Sequence, residues 1–389
     1  MEETILRRTW AEIDLDALEH NYYTARAMVG PSIKYLGVVK ADAYGHGAVQ
    51  ISRKLEELGA DYLAVSSLDE ARELRHGGIR MPILILGHTP PDMVPQLIQY
   101  NITQTVSARA KAEEYHAAAA ACDGTLKVHI KVDTGMSRLG FLVRGDHFAG
   151  GVEAIAASCA LSHLETEGIF THFSVSDEDD ESSERYTREQ FDLFCRVLRA
   201  LEERGTTFAL RHCANSGAWA RYPEMALNMV RPGIALYGAG ADAERLGLRP
   251  VMALKSCIST IKIFDPETDI SYGRTFHTTE KTRVGVLPIG YADGLFRGLS
   301  NRMSVQTACG PAPILGRICM DMTMVNLSGL TEVHVGDAVE LFGCRQRVDQ
   351  LAELLGTIPY ELTCAVSKRV PRLYLEQGEV RERSLRLLL

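Results

Sequence analysis

The sequence predicts a (β/α)8 barrel over residues 1–245, carrying an N-terminal strand, followed by a mainly antiparallel β domain over residues 246–389. Between about residues 15 and 240, short β-branched runs alternate with longer stretches of helical periodicity. After about residue 245, strand-like runs follow one another directly, divided by Gly, Pro and Asp turns. The chain has 389 residues, 46% of them hydrophobic, which suffices for a barrel core and a second unit without disulfide or metal staples.

In chain order the barrel strands are Tyr35–Lys40, Tyr62–Ser66, Ile83–Leu86, Thr103–Val106, Lys127–Val132, Gly168–Phe173, Ala209–His212 and Ala226–Arg231. Each is short, apolar and rich in β-branched residues, as buried parallel strands are. Between them, Leu68 to His76 follows the capping sequence Ser67-Leu68-Asp69-Glu70, and Glu184 to Arg204 carries apolar residues at helical spacing. Eight such repeats in roughly 225 residues lie within the size range of a closed barrel; an open doubly wound sheet accounts for the same alternation. In the second unit the strands are Cys257–Phe264, Arg283–Ile289, Met303–Thr307, Thr323–Leu327, Ala338–Phe342 and Val370–Leu375, with one helix near Val348 to Leu355.

Composition excludes several function classes. A net charge of −8 without clustered Lys and Arg argues against a nucleic-acid partner. The longest apolar runs, such as Pro82 to Leu86 and Ala117 to Cys122, are too short to span a membrane. The N-terminus places acidic residues where an export signal carries positive charge, so a cytoplasmic protein is expected. Nine cysteines without a C-x-x-C pair fit reduced thiols better than a disulfide framework or a zinc site, and no metal is expected. The acidic stretch Asp177 to Glu184 lacks the central Gly of a calcium loop. Gly238-Ala239-Gly240 lacks the strand–helix context of a dinucleotide fingerprint, and His163-x-Glu165 lacks the cysteine pair of a zinc deaminase.

Barrel enzymes place working groups at the C-terminal ends of strands. There the sequence sets Lys40, Arg138, His172, Asn215, Ser216 and Arg231. Each alone is ordinary: a strand-end lysine is usually a solvated charge, and a single histidine is usually a satisfied half-buried one. Together they resemble an anion-binding, carbonyl-chemistry site centred on a lysine.

The string Val39-Lys40-Ala41-Asp42-Ala43-Tyr44-Gly45-His46-Gly47 resembles the pyridoxal 5′-phosphate (PLP) attachment motif of alanine racemases. The resemblance continues through Lys131 to Gly140, Thr171-His172-Phe173, Asn215-Ser216, Val230 to Gly238 and Ser271-Tyr272-Gly273. It extends to Gly290 to Gly294, Gly316 to Asp321 and Gly356 to Tyr360, in order and across both units. It implies a PLP-dependent isomerase that interconverts L- and D-alanine by two bases, supplies D-alanine for peptidoglycan and works as a homodimer.

Residue by residue, the resemblance makes Lys40 the attachment residue and one base. Tyr272 is the other, reaching in from the partner subunit's β domain. Cofactor contacts fall to Tyr44, Arg138, His172, Asn215, Ser216, Arg231, Tyr360 and the backbone of Gly233 and Ile234. Arg138 and Met320 would meet substrate, Tyr291 and Arg317 would line the entrance, and Lys131 matches a position carbamylated in some members. His172 and Arg231 are candidates to supply positive charge and hydrogen bonds that favour a Tyr272 phenolate. Arg231 would face the pyridine nitrogen, and a guanidinium donates there without giving up a proton. A serine or broad-specificity racemase shares this scaffold, but Tyr360 stands where serine-preferring relatives carry Asn. A PLP decarboxylase on a related architecture fits the Arg231 and Tyr272 contexts less well, and a non-catalytic PLP-binding protein would lack the β domain.

Overall fold

A computed structural model describes residues 8–385. The acidic N-terminal stretch read against an export signal lies mainly outside them. The chain divides into two compact units. One comprises Tyr22–Ala43 and Ala48–Leu236; the other comprises the residues up to Asn21, Tyr44–Gly47 and everything from Tyr237 onward.

The first unit is a barrel of parallel strands β2 (Lys34–Val38), β3 (Tyr62–Val65), β4 (Ile83–Ile85), β5 (Ile102–Val106), β6 (Leu126–Asp133), β8 (Leu164–Phe170), β9 (Leu210–His212) and β10 (Met229–Val230). The short β7 (Phe141–Leu142) adds to β6 alone. The order β10-β2-β3-β4-β5-β6-β8-β9 nearly closes on itself. Main-chain bonds from Asn228 N–H to the Arg211 carbonyl (3.3 Å) and from Arg231 N–H to the Ala214 carbonyl (2.9 Å) draw the two ends together. The expected open-sheet alternative is therefore not the fold. Leu36, Leu63, Ile83, Leu84, Ile130 and Ile169 are fully buried, as strands covered on both faces require.

Helix Leu68–His76 matches its expected bounds, and Ser67 Oγ accepts the Glu70 N–H at 3.3 Å. The acidic stretch before the long helix Glu181–Glu202 is its cap, Asp180 accepting from Ser182 and Ser183 N–H. Among the described residues no group of three or more His, Cys, Asp or Glu is arranged to hold a metal. Among them, too, no helix is long and apolar enough to cross a membrane.

The second unit is built on a seven-stranded sheet ordered β17-β16-β19-β11-β1-β20-β21. Its strands are β1 (Thr9–Asp14), β11 (Met252–Cys257), β16 (Ser304–Thr307), β17 (Gly310–Pro313), β19 (Ala338–Phe342), β20 (Arg372–Glu376) and β21 (Glu379–Ser384). β12 (Thr260–Phe264), β15 (Thr282–Leu287) and β18 (Thr323–Asn326) form a second sheet; β13 (Asp269–Ile270) pairs with β14 (Phe276–His277). The N-terminal strand, expected with the barrel, lies here, antiparallel to β11 and parallel to β20. The two end strands of the barrel face each other and leave little edge for a further strand, whereas a central slot in the second sheet satisfies both edges of β1 and buries Trp10, Ala11 and Ile13. The expected strand Cys257–Phe264 is two strands broken at Ile258-Ser259, and the helix Pro359–Cys364 was not anticipated.

Candidate active site

Lys40 does not end its strand. β2 stops at Val38, and Lys40 opens a turn in which Ala41, Asp42 and Ala43 have φ of 52°, 57° and 52°, and Tyr44 has φ 53°. Left-handed backbone costs L-residues about 1–2 kcal/mol each, so nothing in Ala41-Asp42-Ala43 itself announces the turn. Charged acceptors offset the cost. The Glu70 carboxylate accepts the Ala41 N–H at 2.8 Å and the Ser66 N–H at 2.6 Å, and Asp42 accepts the Ala48 N–H at 2.9 Å. Such charge-assisted bonds contribute about 1.5–3 kcal/mol each. Lys40 is thus held at the start of a pinned turn at the barrel's C-terminal rim.

Arg231 follows β10 at the same rim and is 4% exposed. Its guanidinium donates to His212 Nδ1 (2.9 Å), the Thr171 carbonyl (2.9 Å), the Cys213 carbonyl (3.1 Å) and His172 Nδ1 (3.2 Å). No carboxylate is among these partners. Burial pulls its pKa down to about 10, so it keeps its charge at neutral pH. His172 sits two residues beyond β8; burial, then the charges of Arg231, Lys131, Arg138 and Lys40, hold its pKa well below the imidazole range. His172 is therefore neutral, and positive charge in this cluster comes from arginine and lysine. Of the charge and hydrogen bonds expected from His172 and Arg231, a neutral His172 keeps the hydrogen bond and leaves the charge to Arg231.

Lys131, inside β6, is buried and donates to the Val132 carbonyl at 3.0 Å, with its ammonium 5.2 Å from the centroid of the Phe170 ring. Burial and the charges of Arg231 and Arg138 push its pKa down to about 7, against the opposing pull of Asp133. Arg138 lies on the exposed loop after β6. Asn215 has spent its side-chain oxygen on structure, capping helix Ser216–Arg221 through the Ala218 N–H (3.0 Å) and accepting the Ser176 hydroxyl (2.7 Å). Ser216 Oγ receives the Gly233 N–H at 2.8 Å and the Ala235 N–H at 3.4 Å, while Ile234 is buried beside them. The two amides converge on the Ser216 hydroxyl, whose own proton is left to donate, and with arginines at the same rim this suits a phosphate-bearing anion.

The second unit carries the remaining candidates. The rings of Tyr44 and Tyr360 meet edge-on with centroids 5.5 Å apart. The segment Tyr44–Gly47 is clamped. A side chain on Gly45 would sit 2.2 Å from the Thr363 carbonyl, and Arg372 donates to the Gly45 carbonyl at 3.1 and 3.2 Å.

Tyr272 is on a turn rather than a strand and is 70% exposed. Ser271 before it has φ 68° and ψ −179°, a region almost reserved for glycine. Its hydroxyl donates to the Arg317 carbonyl at 2.5 Å, and a side chain on Gly273 would strike the Arg317 guanidinium at 2.8 Å. Arg317 is therefore the wall on which the Tyr272 turn is folded.

Tyr291 and Met320 are exposed and sit on loops tied together by bonds from Tyr291 N–H to the Cys319 carbonyl (3.0 Å) and Ala292 N–H to the Met320 carbonyl (3.1 Å). Beneath them the buried Asp293 carboxylate binds Arg8 (3.1 Å) and Arg369 (3.3 Å), and Arg369 also holds Asp321 (2.7 Å). Sequence reading missed this brace, as it missed His129, Glu167 and His212 inside the barrel; their sequence positions are far apart and only strand pairing unites them.

A barrel of this kind followed by a β unit is the architecture of an isomerase, an amino-acid racemase, as comparison with known proteins shows. Residues 13–241 match the family model "Alanine racemase, N-terminal domain" and residues 251–374 match "Alanine racemase, C-terminal domain". The chain is 46% identical to the alanine racemase of Desulforamulus reducens, over 94% of this chain and 98% of that one. It is 44% identical to that of Desulfovibrio desulfuricans, over 95% and 99%. Among solved structures it resembles alanine racemase of Clostridium difficile 630 with a TM-score of 0.93 and 40% identity, covering 99% of this chain and 100% of that one. The alanine racemase of Bacillus anthracis with bound L-Ala-P gives 0.89 and 34%, covering 99% of each. The chain belongs to the alanine racemase family.

Proposed function

We propose that this chain interconverts L-alanine and D-alanine with PLP carried on Lys40, in the cytoplasm, as a homodimer that supplies D-alanine for peptidoglycan. The observation that supports it most is the buried Arg231, whose charge meets no carboxylate among its hydrogen-bond partners. When bound, PLP would withdraw electrons from the substrate's α-carbon and make its proton acidic enough to remove. An arginine offered to its pyridine nitrogen donates a hydrogen bond but keeps its proton, which tempers that withdrawal and suits return of a proton over other fates.

The residues divide the remaining tasks. Ser216, the Gly233 N–H and the Ile234 backbone would hold the phosphate together with the Tyr44 and Tyr360 hydroxyls. Asn215 keeps the Ser216 segment in place. Arg138 would pair with the substrate carboxylate, aided by the backbone of Met320 from the partner. His172, being neutral, anchors Arg231 rather than adding charge. The Lys40 amine would take or return the α-proton on one face. Tyr272 of the partner's β domain (roughly residues 246–389) would serve the other; its exposure in the single chain, with that of Tyr291 and Met320, supports a role across a dimer. Tyr291 and Arg317 would line the way in.

Alanine is favoured over serine because Tyr360 leaves less room than the Asn of serine-preferring relatives. The test is kcat/KM of the purified holoprotein for L-alanine, L-serine and L-lysine. L-alanine is expected to lead, and a higher value for L-serine would overturn the choice of substrate.

Lys131 is read as a carbamylation site. Its amine becomes neutral above about pH 7, where nitrogen can add to carbon dioxide and lose one proton, giving an anion for Arg138 to pair with. With labelled bicarbonate, a carbamate carbon signal is expected near pH 8, fading as acid protonates the amine, and absent in Lys131→Ala. A signal that survives Lys131→Ala would place the adduct elsewhere.

A further inference from the structure

The barrel interior contains a hydrogen-bonded chain that the reaction as described does not use. It runs from Arg231 Nη1 to His212 Nδ1 (2.9 Å), from His212 Nε2 to His129 Nδ1 (2.9 Å), and from His129 Nε2 to Glu167 Oε2 (3.4 Å). Tyr62 donates its hydroxyl to the same Glu167 oxygen at 2.8 Å and lies 2.6 Å from the Thr103 hydroxyl. Tyr62 opens β3 and Thr103 is the second residue of β5, so this end lies toward the strands' N-terminal ends. Arg231 follows the C-terminal end of β10. The chain therefore crosses the barrel from one end to the other.

Its polarity follows from which groups can donate. A guanidinium has only donors, so His212 Nδ1 must accept. A neutral His212 then carries its proton on Nε2 and donates to His129 Nδ1. His129 in turn carries its proton on Nε2 and donates to Glu167, an acceptor when ionised. Both imidazoles are fully buried, and burial holds both below the usual imidazole pKa. Glu167, whose side chain is 29% exposed, is held below the usual carboxylate range, first by its bond with His129.

Three features of the fold are shaped to this chain. The β6–β8 register steps from Val128 opposite Thr166 to His129 opposite Gly168, leaving Glu167 as the extra residue of a bulge. Bulges re-aim side chains, and this one turns Glu167 toward His129. Gly168 clears the space: a side chain there would meet the His129 ring at 2.7–2.8 Å. Finally, His212 stacks on Phe170 at 4.8 Å with 4° between planes, which fixes the plane of the ring, and its two hydrogen bonds fix which nitrogen faces which partner.

We propose that Glu167, acting through the Nε2–H tautomers of His129 and His212, is a positioning residue for Arg231. It thereby sets the hydrogen bond that Arg231 offers to the cofactor's pyridine nitrogen. This rests on the reading of Arg231 given under the proposed function.

The test uses holoprotein labelled with ¹⁵N in histidine and arginine. Two-bond proton–nitrogen spectra of the wild type are expected to show protonated Nε2 and bare Nδ1 on both His129 and His212. In Glu167→Ala the Nε2 proton of His129 loses its acceptor, and the signals of His129, His212 and the Arg231 Nη atoms are expected to move. There kcat falls on the order of 10-fold with KM changed by less than about 2-fold, the signature of a lost outer partner rather than lost binding. Glu167→Gln keeps an accepting oxygen, and is expected to retain both tautomers and restore most of kcat.

An Nδ1–H tautomer or an imidazolium on either histidine in the wild type overturns the proposal. So do unchanged His212 and Arg231 signals in Glu167→Ala. A wild type with both expected tautomers that fails to racemise alanine overturns the link to the reaction instead, in an assay the spectra do not depend on.

Discussion

Lys40→Ala is expected to lower kcat/KM for alanine racemisation by at least about 1000-fold, the scale of losing both a covalent anchor and a base. The two buried lysines of the barrel are not placed to replace it. Lys131 is buried in β6 with its nitrogen on the Val132 carbonyl, and Lys54 is buried on a barrel helix. The left-handed turn from Ala41 to Ala43 adds to the argument, because it is held by Glu70 and Asp42 through backbone bonds that the Lys40 side chain does not make. The variant should therefore keep its fold and lose its chemistry. Chiral detection of D-alanine measures the loss. An unchanged melting temperature, with partial recovery on adding a small primary amine, separates lost chemistry from lost structure. Racemisation within about 10-fold of the wild type would remove Lys40 from the mechanism.

Tyr272→Phe is expected to cost on the order of 100- to 1000-fold in racemisation, the range of a general acid–base group. The more telling result concerns exchange. With Lys40 intact, one enantiomer should still trade its α-proton with deuterated water at a substantial rate while conversion to the other enantiomer collapses. A variant that merely disturbed packing would slow exchange of both enantiomers together. The Ser271 backbone bears on this: φ 68° with the hydroxyl locked to Arg317 aims the tyrosine, and replacing the phenol leaves that frame in place. Equal loss of exchange for both enantiomers would contradict a two-base division between Lys40 and Tyr272.

Periodicity made the barrel legible because its parallel strands are buried on both faces, so runs such as Ile83–Ile85 and Tyr62–Val65 stand out against amphipathic helices. Helix Leu68–His76 was exact in its bounds because Ser67 caps it, and a cap is written locally. Where long-range pairing decides, sequence alone gave less. Nothing within Thr9–Asp14 says that its partners are Met252–Cys257 and Arg372–Glu376 rather than barrel strands. The turn at Lys40 escaped notice because Ala, Asp and Ala adopt left-handed backbone only when distant groups such as Glu70 compensate. The site residues were located through the family's motifs, since no single one of Lys40, His172 or Arg231 is distinctive. The His129–His212–Glu167 chain carries no such signature. Its members are 83 and 38 residues apart in sequence, and a bulge one residue long brings them together.

A cofactor carried on Lys40 is what would make this chain racemise alanine. The direct test is to reduce the holoprotein with borohydride, follow alanine racemisation as the reduction proceeds, and map the modified peptide by mass spectrometry. A pyridoxyl group is expected on Lys40 alone, with activity lost in step with its formation. Modification at another lysine, or racemisation that persists after complete reduction, would contradict it.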